Sequence, residues 1–594
     1  MIRTPLRPLA RILDARARGE NPEAIERENL RLRHEQMRDR ARARAEGRLL
    51  ILGFLFLCAF TAVGGRMAVL AASDEPGEPR AIASGAAIVA QRADITDRRG
   101  RILATNLATH SLYAQPPLMI DKARAARELA EIFPDLDRDR LLRQFTGKRK
   151  FLWIKRQISP EQMQQVHDIG DPGLLFGPRE MRLYPNGKLA AHVLGGTRFG
   201  QEGVHSAEVV GVAGVEKAFD EYLRDPANGA APLRLSLDLT VQAAARRVLA
   251  GGMTLLNAKG AAAVLMDVHT GEVISLISLP DFDPNDRPAP LNMGHPSDSP
   301  LFNRAVQGVY ELGSTFKTFA IAQALELGLV EPDTMIDTEG PLRWGKYSIN
   351  DFHDYGDKLS VTDVIVESSN IGTAHIAQKI GAERQRDFLG RLGLLKPTGL
   401  EMVEAPGIEP LLPAKWSELS TMTISYGHGL SVSPLHLAAA YATIANGGRR
   451  IEPTLLAGNG VQQGERVISE TVSAKVRKML RQVVVRGTAS MADVEGYAVA
   501  GKTGSADKPK PTGGYYKDRV ISTFASMFPA DDPRYVLVVT LDEPEDRTGS
   551  EPRRTAGWTA VPVAAEIIRR VAPLLGLRPA IEPAPGFGVT LAGN

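Results

Sequence analysis

Residues 310–328 read YELGSTFKTFAIAQALELG and predict a helix with a reactive serine at its start. The apolar residues recur at helical spacing, and Gly328 ends the helix. Ser314 stands at the helix start, where backbone N–H groups are unpaired and the helix dipole favours an anion. Lys317 follows one turn later on the same face, so its amine could accept the Ser314 proton if its pKa is depressed. The segment is therefore a possible active site.

A Ser-x-x-Lys pattern alone is weak evidence, since it recurs here at residues 505–508. Two further segments strengthen it: Ser368-Ser369-Asn370 precedes the helical IGTAHIAQKIG, and Lys502-Thr503-Gly504-Ser505 ends the strand-like YAVAG. Ser-x-Asn also recurs, at residues 348–350, so the argument depends on the order, spacing and structural context of the three motifs. The alternative is that Ser368 and Asn370 are only a helix cap and a turn residue.

Five strands are predicted beyond residue 260. They are Ala261–Val268, Glu272–Leu279, Tyr497–Gly504, Ile521–Phe528 and Tyr535–Asp542. A Thr270-Gly271 turn joins the first two as a hairpin. Helical periods at Thr240–Leu255 and Trp558–Leu575 bracket the strands, and a mostly helical stretch fills 300–480. Hairpin-linked strands with grouped helices predict an α+β fold, in which helices cover a largely antiparallel sheet.

The chain of 594 residues is long enough for several domains. We predict a basic cytoplasmic tail (1–48), a transmembrane helix (49–72), a linker (73–90), a non-catalytic domain (91–232), a catalytic domain (233–577) and an irregular C-terminal tail (578–594). The non-catalytic domain shows two helical stretches, around 121–145 and 214–224, and no constellation of residues that would support chemistry.

An apolar run follows the basic N-terminus. Residues 1–48 contain thirteen arginines and eight acidic residues, and residues 49–65, LLILGFLFLCAFTAVGG, carry no charge. With MAVLAA continuing to residue 72, the run can span a bilayer if Arg66 snorkels to the interface. The arginine excess places the N-terminus inside and everything beyond residue 73 outside. The alternative is a signal peptide cleaved near Ala71, against which the long preceding segment argues.

Several function classes are excluded or unsupported. A net charge of +3 gives no support for nucleic-acid binding. The single cysteine, Cys58, excludes disulfide frameworks and cysteine-ligated zinc from the rest of the chain, and the eleven histidines show no metal-binding spacing. Residues 496–503 match the phosphate-binding loop pattern, but GSADKPKPTGG follows and cannot begin the required helix. We therefore predict no metal, no cofactor and no ATPase activity.

The motifs resemble those of a known family, the class B penicillin-binding proteins. Residues 314–317, 368–370 and 502–504 look like its Ser-x-x-Lys, Ser-x-Asn and Lys-Thr-Gly motifs. Other segments that resemble the family are Arg92–Arg101, Arg182–Pro185, Gly214–Glu216, Leu237–Gln242, Phe282–Asn285 and Asn303–Ala305. Two mild departures are Ala93, in place of the usual Gly, and Leu312, where many members have Pro. The resemblance implies the penicillin-binding transpeptidase fold: a five-stranded, mainly antiparallel sheet covered by helices, with a helical subdomain. A single transmembrane helix and an elongated pedestal domain would precede it.

The resemblance also implies catalytic roles. Ser314 would attack the carbonyl of the penultimate D-alanine and release the terminal D-alanine, while Lys317 takes the serine proton. Ser368 would relay a proton toward the leaving amine. Asn370 would hold the peptide amide and steady Lys317. Lys502 would favour a neutral Lys317 and attract the substrate carboxylate.

Substrate binding is implied for Thr503, Gly504 and Ser505, with hydroxyls of Thr503 and Ser505 on the carboxylate. The backbone N–H groups of Ser314 and Ser505 would form the oxyanion hole. An amine from a neighbouring stem peptide would then take the acyl group and form the cross-link.

The implied partners are peptidoglycan stem peptides, lipid-linked glycan strands and β-lactams as covalent inhibitors. Residues 91–230 are too short for a glycan-polymerising domain. A separate membrane glycan polymerase of the shape, elongation, division and sporulation type is therefore expected, with other division proteins, at the septum of the inner membrane. The sequence YELGSTFK at residues 310–317 and the long charged tail at residues 1–48 look like those of the division-specific branch of the family. An elongation-specific transpeptidase and a non-catalytic β-lactam sensor or scaffold are the alternatives.

Overall fold

The computed structural model describes residues 13–20, 31, 50–65, 92–202, 207–228, 231–510 and 513–580. The chain forms two compact units, Met1–Arg80 and Ala81–Asn594. In the first unit, residues 50–65 form a helix whose side chains are exposed. Within the described ranges, no helix reaches the length and hydropathy needed to cross a bilayer. The predicted transmembrane segment extends to residue 72, and residues 49 and 66–72 lie outside the described ranges, as do the linker 73–90 and the tail from 581.

The N-terminal part of the second unit is built around the thirteen-residue strand β2. Its strands are β1 (Ile95–Thr96), β2 (Ile102–Ala114), β3 (Leu152–Ile158), β4 (Leu174–Leu183), β5 (Gly196–Glu202), β6 (Ala207–Ala213) and β7 (Leu233–Arg234). Its helices are α1 (Lys122–Ile132), α2 (Arg138–Thr146), α3 (Pro160–Ile169), α4 (Ala191–Leu194), α5 (Gly214–Ala218) and α6 (Asp220–Arg224). The sheet runs β3-β2-β1-β7, with β4 also paired to β2, while β5 and β6 form a separate hairpin.

Each of the two helical stretches predicted in this part is divided into two helices: the stretch around 121–145 into α1 and α2, and the stretch 214–224 into α5 and α6. The first breaks after Ile132, because Phe133 precedes a proline and adopts an extended backbone (φ −122°, ψ 90°) that a helix cannot continue. The second breaks at Phe219, which lies between α5 and α6. Periodicity alone shows the helical face but not these single-residue interruptions.

A buried ionic cluster joins distant segments of this part. The Glu216 carboxylate accepts hydrogen bonds from Arg92 Nε and Arg182 Nε, both at 2.7 Å, and all three side chains are at most 2 % exposed. Tyr184 donates its hydroxyl to the same carboxylate at 3.3 Å. These residues belong to the family-like segments Arg92–Arg101, Arg182–Pro185 and Gly214–Glu216. In the structure the two arginines neutralise a carboxylate that would be costly to bury alone.

The C-terminal part contains the five-stranded sheet. Its strands are β8 (Gly260–Asp267), β9 (Val273–Leu279), β14 (Ala500–Pro509), β15 (Tyr515–Phe528) and β16 (Tyr535–Asp542), in the order β14-β15-β16-β8-β9 with every neighbouring pair antiparallel. Strands β8, β9 and β16 are buried along their whole length, so both faces of the sheet are covered. The helices that pack on it are α7 (Leu239–Leu255), α13 (Pro434–Ala445) and α15 (Ala560–Leu574). The predicted α+β sheet is confirmed.

Between β9 and β14 lies a mainly helical region that contains Ser314. Its other helices are α8 (Lys317–Glu326), α9 (Val361–Glu367), α10 (Asn370–Ile380), α11 (Ala382–Arg391), α12 (Glu418–Ser425) and α14 (Glu470–Arg486). Four short strands interrupt it as two antiparallel pairs: β10 (Met335–Asp337) with β13 (Lys358–Ser360), and β11 (Leu342–Trp344) with β12 (Tyr347–Ile349). The stretch 300–480 is thus helical in the main, as predicted, with one insertion in which the β11–β12 hairpin lies between β10 and β13.

Candidate active site

Ser314 lies in a short 3₁₀ turn, Gly313–Phe316, that leads into α8 at Lys317. The α-helix therefore begins three residues later than the sequence pattern predicted. Gly313 needs to be glycine, because its φ is +57° and a Cβ there would meet the Ser505 carbonyl oxygen at 2.8 Å. Behind the turn, the Phe316 and Phe319 rings pack edge to face in the core. We call Gly313–Phe316 the nucleophile turn, after the predicted role of Ser314. It is held between a packed core and the backbone of β14.

Lys317 is fully buried, and its ammonium nitrogen contacts the Ser-x-Asn segment. The Nζ donates to the Ser368 carbonyl oxygen, lies 3.1 Å from Ser368 Oγ and 2.8 Å from Asn370 Oδ1. Lys502 is also fully buried, and its Nζ lies 3.0 Å from the same Ser368 Oγ. The structure therefore brings these four predicted residues into one hydrogen-bonded network beside Ser314.

Burial changes the protonation of both lysines. Desolvation holds the pKa of Lys317 well below its usual value, the Lys502 charge lowers it further, and the Asp351 charge acts in the opposite direction. Desolvation also lowers the pKa of Lys502, to about 7. Because two like charges share one hydroxyl in a dry site, a neutral amine is accessible near physiological pH.

Ser368 has an unusual backbone conformation. Its φ is +66°, in the left-handed region that residues other than glycine adopt at a cost of roughly 1–3 kcal/mol. It ends α9, and this turn places its hydroxyl between the two lysines. The helix cap of α10 is instead Ser369, whose hydroxyl accepts from Gly372 N at 2.9 Å. The middle residue of the motif caps the helix, while Ser368 and Asn370 contact Lys317.

Asp351 fixes the Ser-x-Asn motif through hydrogen bonds, a role that the sequence patterns did not predict. Its carboxylate accepts from the Ser369 hydroxyl at 2.6 Å, from Asn370 N, and from Ile371 N at 3.1 Å. A carboxylate at a helix N-terminus is stabilised by the unpaired N–H groups there. Asp351 is eighteen residues from Ser369 in sequence, so no local pattern connects it with the cap. The acidic stretch NDFHDYGD around it was the only signal in the sequence.

The Lys-Thr-Gly-Ser segment forms part of β14, which runs from Ala500 to Pro509. The predicted strand began at Tyr497, but Val494 and Tyr497 pair across a turn at Gly496 instead. Gly504 permits close approach to the nucleophile turn, since a Cβ there would lie 2.1 Å from the Leu312 carbonyl oxygen. The strand therefore needs glycine at this position to pack against Ser314.

The two hydroxyls of this segment have defined partners. Thr503 Oγ1 lies 2.8 Å from Thr488 Oγ1. Ser505 Oγ accepts from Ala556 N at 2.9 Å, so its own O–H remains free to donate to a ligand. The predicted residues Ser314, Ser368, Asn370, Thr503 and Ser505 all line one cavity of about 370 Å³.

The same cavity is lined by residues that the motifs do not identify. They are Phe352, His353, Tyr355, Glu367, Tyr426, His428, Thr488 and Thr555–Trp558. Aromatic side chains dominate this set, which suits a peptide or an acylating ligand with apolar groups. Across the described part of the chain, no three His, Cys, Asp or Glu side chains are grouped so that they could hold a metal ion.

Comparison with protein families identifies both parts of the second unit. Residues 261–569 match the penicillin-binding protein transpeptidase domain, and residues 87–230 match the penicillin-binding protein dimerisation domain. The chain belongs to the penicillin-binding transpeptidases. The predicted family and its transpeptidase fold are thereby confirmed.

Individual relatives agree with this assignment. A probable peptidoglycan D,D-transpeptidase FtsI of Caulobacter vibrioides is 35% identical over an alignment of 570 residues that covers 92% of this chain and 92% of its own. The peptidoglycan D,D-transpeptidase FtsI of Escherichia coli K12 is 30% identical, over 76% of this chain and 79% of its own. A crystal structure of penicillin-binding protein 3 from Mycobacterium tuberculosis with ampicillin superposes with a TM-score of 0.62 at 26% identity, covering 84% of this chain and 98% of that one.

Proposed function

We propose that this chain is a peptidoglycan D,D-transpeptidase that cross-links stem peptides through an acyl-enzyme on Ser314. The observation that carries this proposal is the contact of two buried lysines, Lys317 and Lys502, with one hydroxyl, Ser368 Oγ, beside the cavity that Ser314 lines. The relatives named as D,D-transpeptidases of the FtsI type support the same reaction.

The contacts of Lys317 suit a neutral amine. The Ser368 carbonyl oxygen and Asn370 Oδ1 can only accept hydrogen bonds. A neutral amine can donate its two N–H groups to them and keep its lone pair free. That lone pair would take the Ser314 proton as the serine oxygen attacks the carbonyl carbon of the penultimate D-alanine.

Ser368 would return this proton to the leaving group. Its hydroxyl lies 3.1 Å from Lys317 Nζ and 3.0 Å from Lys502 Nζ, so it can pass a proton from Lys317 toward the cavity. The amide C–N bond of the substrate then breaks, the protonated amine leaves as free D-alanine, and the acyl group remains on Ser314 as an ester. Aminolysis by a second stem peptide forms the cross-link.

Residues of β14 would bind the terminal carboxylate of the donor peptide. Lys502 supplies positive potential, and the Thr503 and Ser505 hydroxyls can donate to the carboxylate oxygens. Backbone N–H groups of Ser314 and Ser505 would stabilise the oxyanion. Gly504 keeps these two backbone segments in contact, because any side chain there would push them apart.

A labelled penicillin tests the nucleophile. The related M. tuberculosis protein was crystallised with ampicillin, and we propose that β-lactams acylate Ser314 here. Ser314→Ala should lose all covalent label with nearly unchanged melting temperature. Ser348→Ala, at an exposed serine of the other Ser-x-Asn match, should label normally. An adduct mapped by mass spectrometry to Ser505, the serine of the other Ser-x-x-Lys match, would overturn the assignment.

We further propose that the protein is a single-pass inner-membrane protein with a cytoplasmic N-terminus and an outward-facing catalytic domain. The uncharged run 49–65 after an arginine-rich segment supports this topology. A reporter that is active only outside the cytoplasm should work when fused after residue 90 and fail when fused before residue 48. The reverse result would contradict the orientation, and a mature N-terminus near residue 72 would indicate a cleaved signal peptide.

The proposed cellular role is septal wall synthesis beside a separate membrane glycan polymerase and other division proteins. The FtsI names of the relatives support division. Imaging the tagged protein tests this: septal enrichment is expected. Uniform lateral-wall signal would favour the elongation-specific alternative. The non-catalytic sensor or scaffold is not favoured by these relatives.

A further inference from the structure

Glu311 and His428 form a carboxylate–imidazole pair at the wall of the active-site cavity. The Glu311 Oε2 atom lies 3.1 Å from His428 Nδ1, and the Glu311 side chain is only 10 % exposed. Its other oxygen, Oε1, accepts from Gly429 N at 2.8 Å and from the Tyr515 hydroxyl at 3.1 Å. The carboxylate is therefore fixed from three sides, and it in turn fixes the orientation of the imidazole.

This pair is attached to the nucleophile turn. Gly313 N donates to the Gly427 carbonyl oxygen at 3.3 Å, and a Cβ at Gly427 would lie 1.9 Å from the Gly313 carbonyl oxygen. Glu311 precedes Ser314 by three residues, and His428 lines the same cavity as Ser314. The imidazole is thus held at a set position relative to the turn that contains Ser314.

The hydrogen bond with Glu311 sets the tautomer of the neutral His428 ring. A carboxylate only accepts hydrogen bonds, so Nδ1 of the neutral ring carries the proton and Nε2 keeps its lone pair. The other titratable groups around the ring are Tyr426 and Tyr515, which pack edge to face against it, and Asp507, whose charge interacts with it. The environment of the ring is acidic, through Glu311 and Asp507, and aromatic, through Tyr426 and Tyr515. Such an environment suits a cationic ligand.

The second half of a transpeptidation needs a group that can accept a proton from the incoming amine. The acceptor is a primary amine, and such amines are mostly protonated at neutral pH, with a pKa of about 10.4 for a lysine-type amine and about 8 for an α-amino group. An ammonium cannot attack an ester, so one proton must leave before attack and a second must leave afterwards. Lys317 can take the second and return it to Ser314 Oγ, but the first proton needs another acceptor.

We propose that His428 is the general base that deprotonates the acceptor amine, and that Glu311 is the residue that positions it; the proposal rests on Ser314 as the acylated nucleophile. The ammonium proton moves to His428 Nε2 and then to solvent. The amine lone pair attacks the ester carbonyl carbon, and the C–Oγ bond to Ser314 breaks. The attacking nitrogen loses its second proton, which reaches Ser314 Oγ through Lys317. The products are the new amide and the free enzyme, with no oxidant or further reactant required.

The test separates acylation from aminolysis in the full-length protein. The donor is a thioester analogue of the stem-peptide terminus, and the acceptor is D-alanine as a primary amine. The ratio of aminolysis to hydrolysis of the acyl-enzyme is measured from pH 5.5 to 9, alongside the acylation rate by a fluorescent penicillin. His428→Gln and Glu311→Gln are compared with His295→Gln, at an exposed histidine whose ring contacts Ser297 and does not line the cavity.

His428→Gln should lower aminolysis by on the order of 10²-fold, the usual worth of general-base assistance, and leave penicillin acylation within about twofold. The loss in His428→Gln should be largest at neutral pH, where the acceptor is mainly an ammonium, and smaller at pH 9, where more free amine is present. Glu311→Gln should lower aminolysis less, and His295→Gln should change neither rate. An unchanged ratio and pH profile in His428→Gln would overturn the proposal. An equal loss of acylation and aminolysis would also overturn it, since His428 would then only support the nucleophile turn. Persistent labelling of Ser314→Ala would instead refute the nucleophile assignment.

Discussion

Lys317 and Lys502 share a single hydroxyl: their ammonium nitrogens lie 3.1 and 3.0 Å from Ser368 Oγ, and both side chains are fully buried. Two adjacent cations without a carboxylate in the same contact would be strongly destabilising. The arrangement is therefore stable only if at least one amine is neutral. A neutral lysine is also what a serine nucleophile requires as its base, so stability and catalysis are linked in this pair.

Lys317→Arg tests whether Lys317 accepts a proton. Arginine keeps the positive charge but does not deprotonate in proteins. We expect acylation by penicillin to slow by on the order of 10²–10⁴, measured by stopped flow between pH 6 and 10. Lys396→Arg, a lysine outside the cavity, is the control. If Lys317→Arg acylates within about tenfold of the unsubstituted protein, Lys317 acts only through charge and hydrogen bonding.

The pH dependence of acylation should follow the lowered pKa of Lys317. Only the neutral amine is competent, so the rate should rise with pH along one ionisation well below the free-lysine value of about 10.4. Lys502→Gln removes a charge that lowers this pKa, so the midpoint should move to higher pH. A midpoint that stays in place would show that the two lysines do not interact electrostatically.

Asp351→Asn should move the midpoint of the same profile in the opposite direction. The Asp351 charge raises the pKa of Lys317, so its removal should move the midpoint to lower pH. The variant also weakens the cap of α10, at a cost of about 0.5–2 kcal/mol, visible in urea unfolding. Asp354→Asn, whose side-chain oxygen can still accept from Gly356 N in a turn, is the matched control. A midpoint that moves in the same direction as in Lys502→Gln would contradict the assigned sign.

The buried Lys502 should make stability depend on pH. Its pKa is lowered to about 7 by burial, so between pH 7 and about 10.4 the unfolded chain binds a proton that the folded chain does not. The free energy of unfolding therefore falls as pH falls through this window and recovers as pH rises, and Lys502 contributes a slope of about 1.4 kcal/mol per pH unit. The lowered pKa of Lys317 contributes in the same direction, so Lys502→Met should reduce the slope without removing it and should raise the free energy of unfolding at pH 7. Equal slopes of unfolding free energy against pH for both proteins would contradict the prediction.

Gly504→Ala should disable the site through one methyl group. The new Cβ would lie 2.1 Å from the Leu312 carbonyl oxygen, so β14 and the nucleophile turn must separate. We expect penicillin acylation to fall by at least about tenfold, since small displacements of reacting groups are costly. Gly399→Ala adds a methyl group in open space and should have no effect. Normal acylation by Gly504→Ala would show that the two segments tolerate separation.

Much of the fold could be predicted because it depends on local patterns. Strand β16 has the predicted bounds, Tyr535–Asp542, and helix α7 ends at Leu255 as predicted. Alternation of apolar residues and hairpin turns act over a few residues, so they are visible in the sequence. The start of β14 was predicted three residues too early, because a turn at Gly496 closes a local pairing that strand propensity does not reveal.

The sequence by itself determined which residues we propose for the chemistry: a serine and a lysine one turn apart at a helix start, a Ser-x-Asn segment before a helix, and a Lys-Thr-Gly segment in a strand. Only the tertiary structure decided how they meet. Lys317 and Lys502 contact one Ser368 hydroxyl, Asp351 holds the Ser-x-Asn segment, and Glu311 orients His428. These contacts join residues that lie between 18 and 134 positions apart. Local propensity acts within a turn or a hairpin, whereas the positions of these side chains depend on the packing of the whole domain.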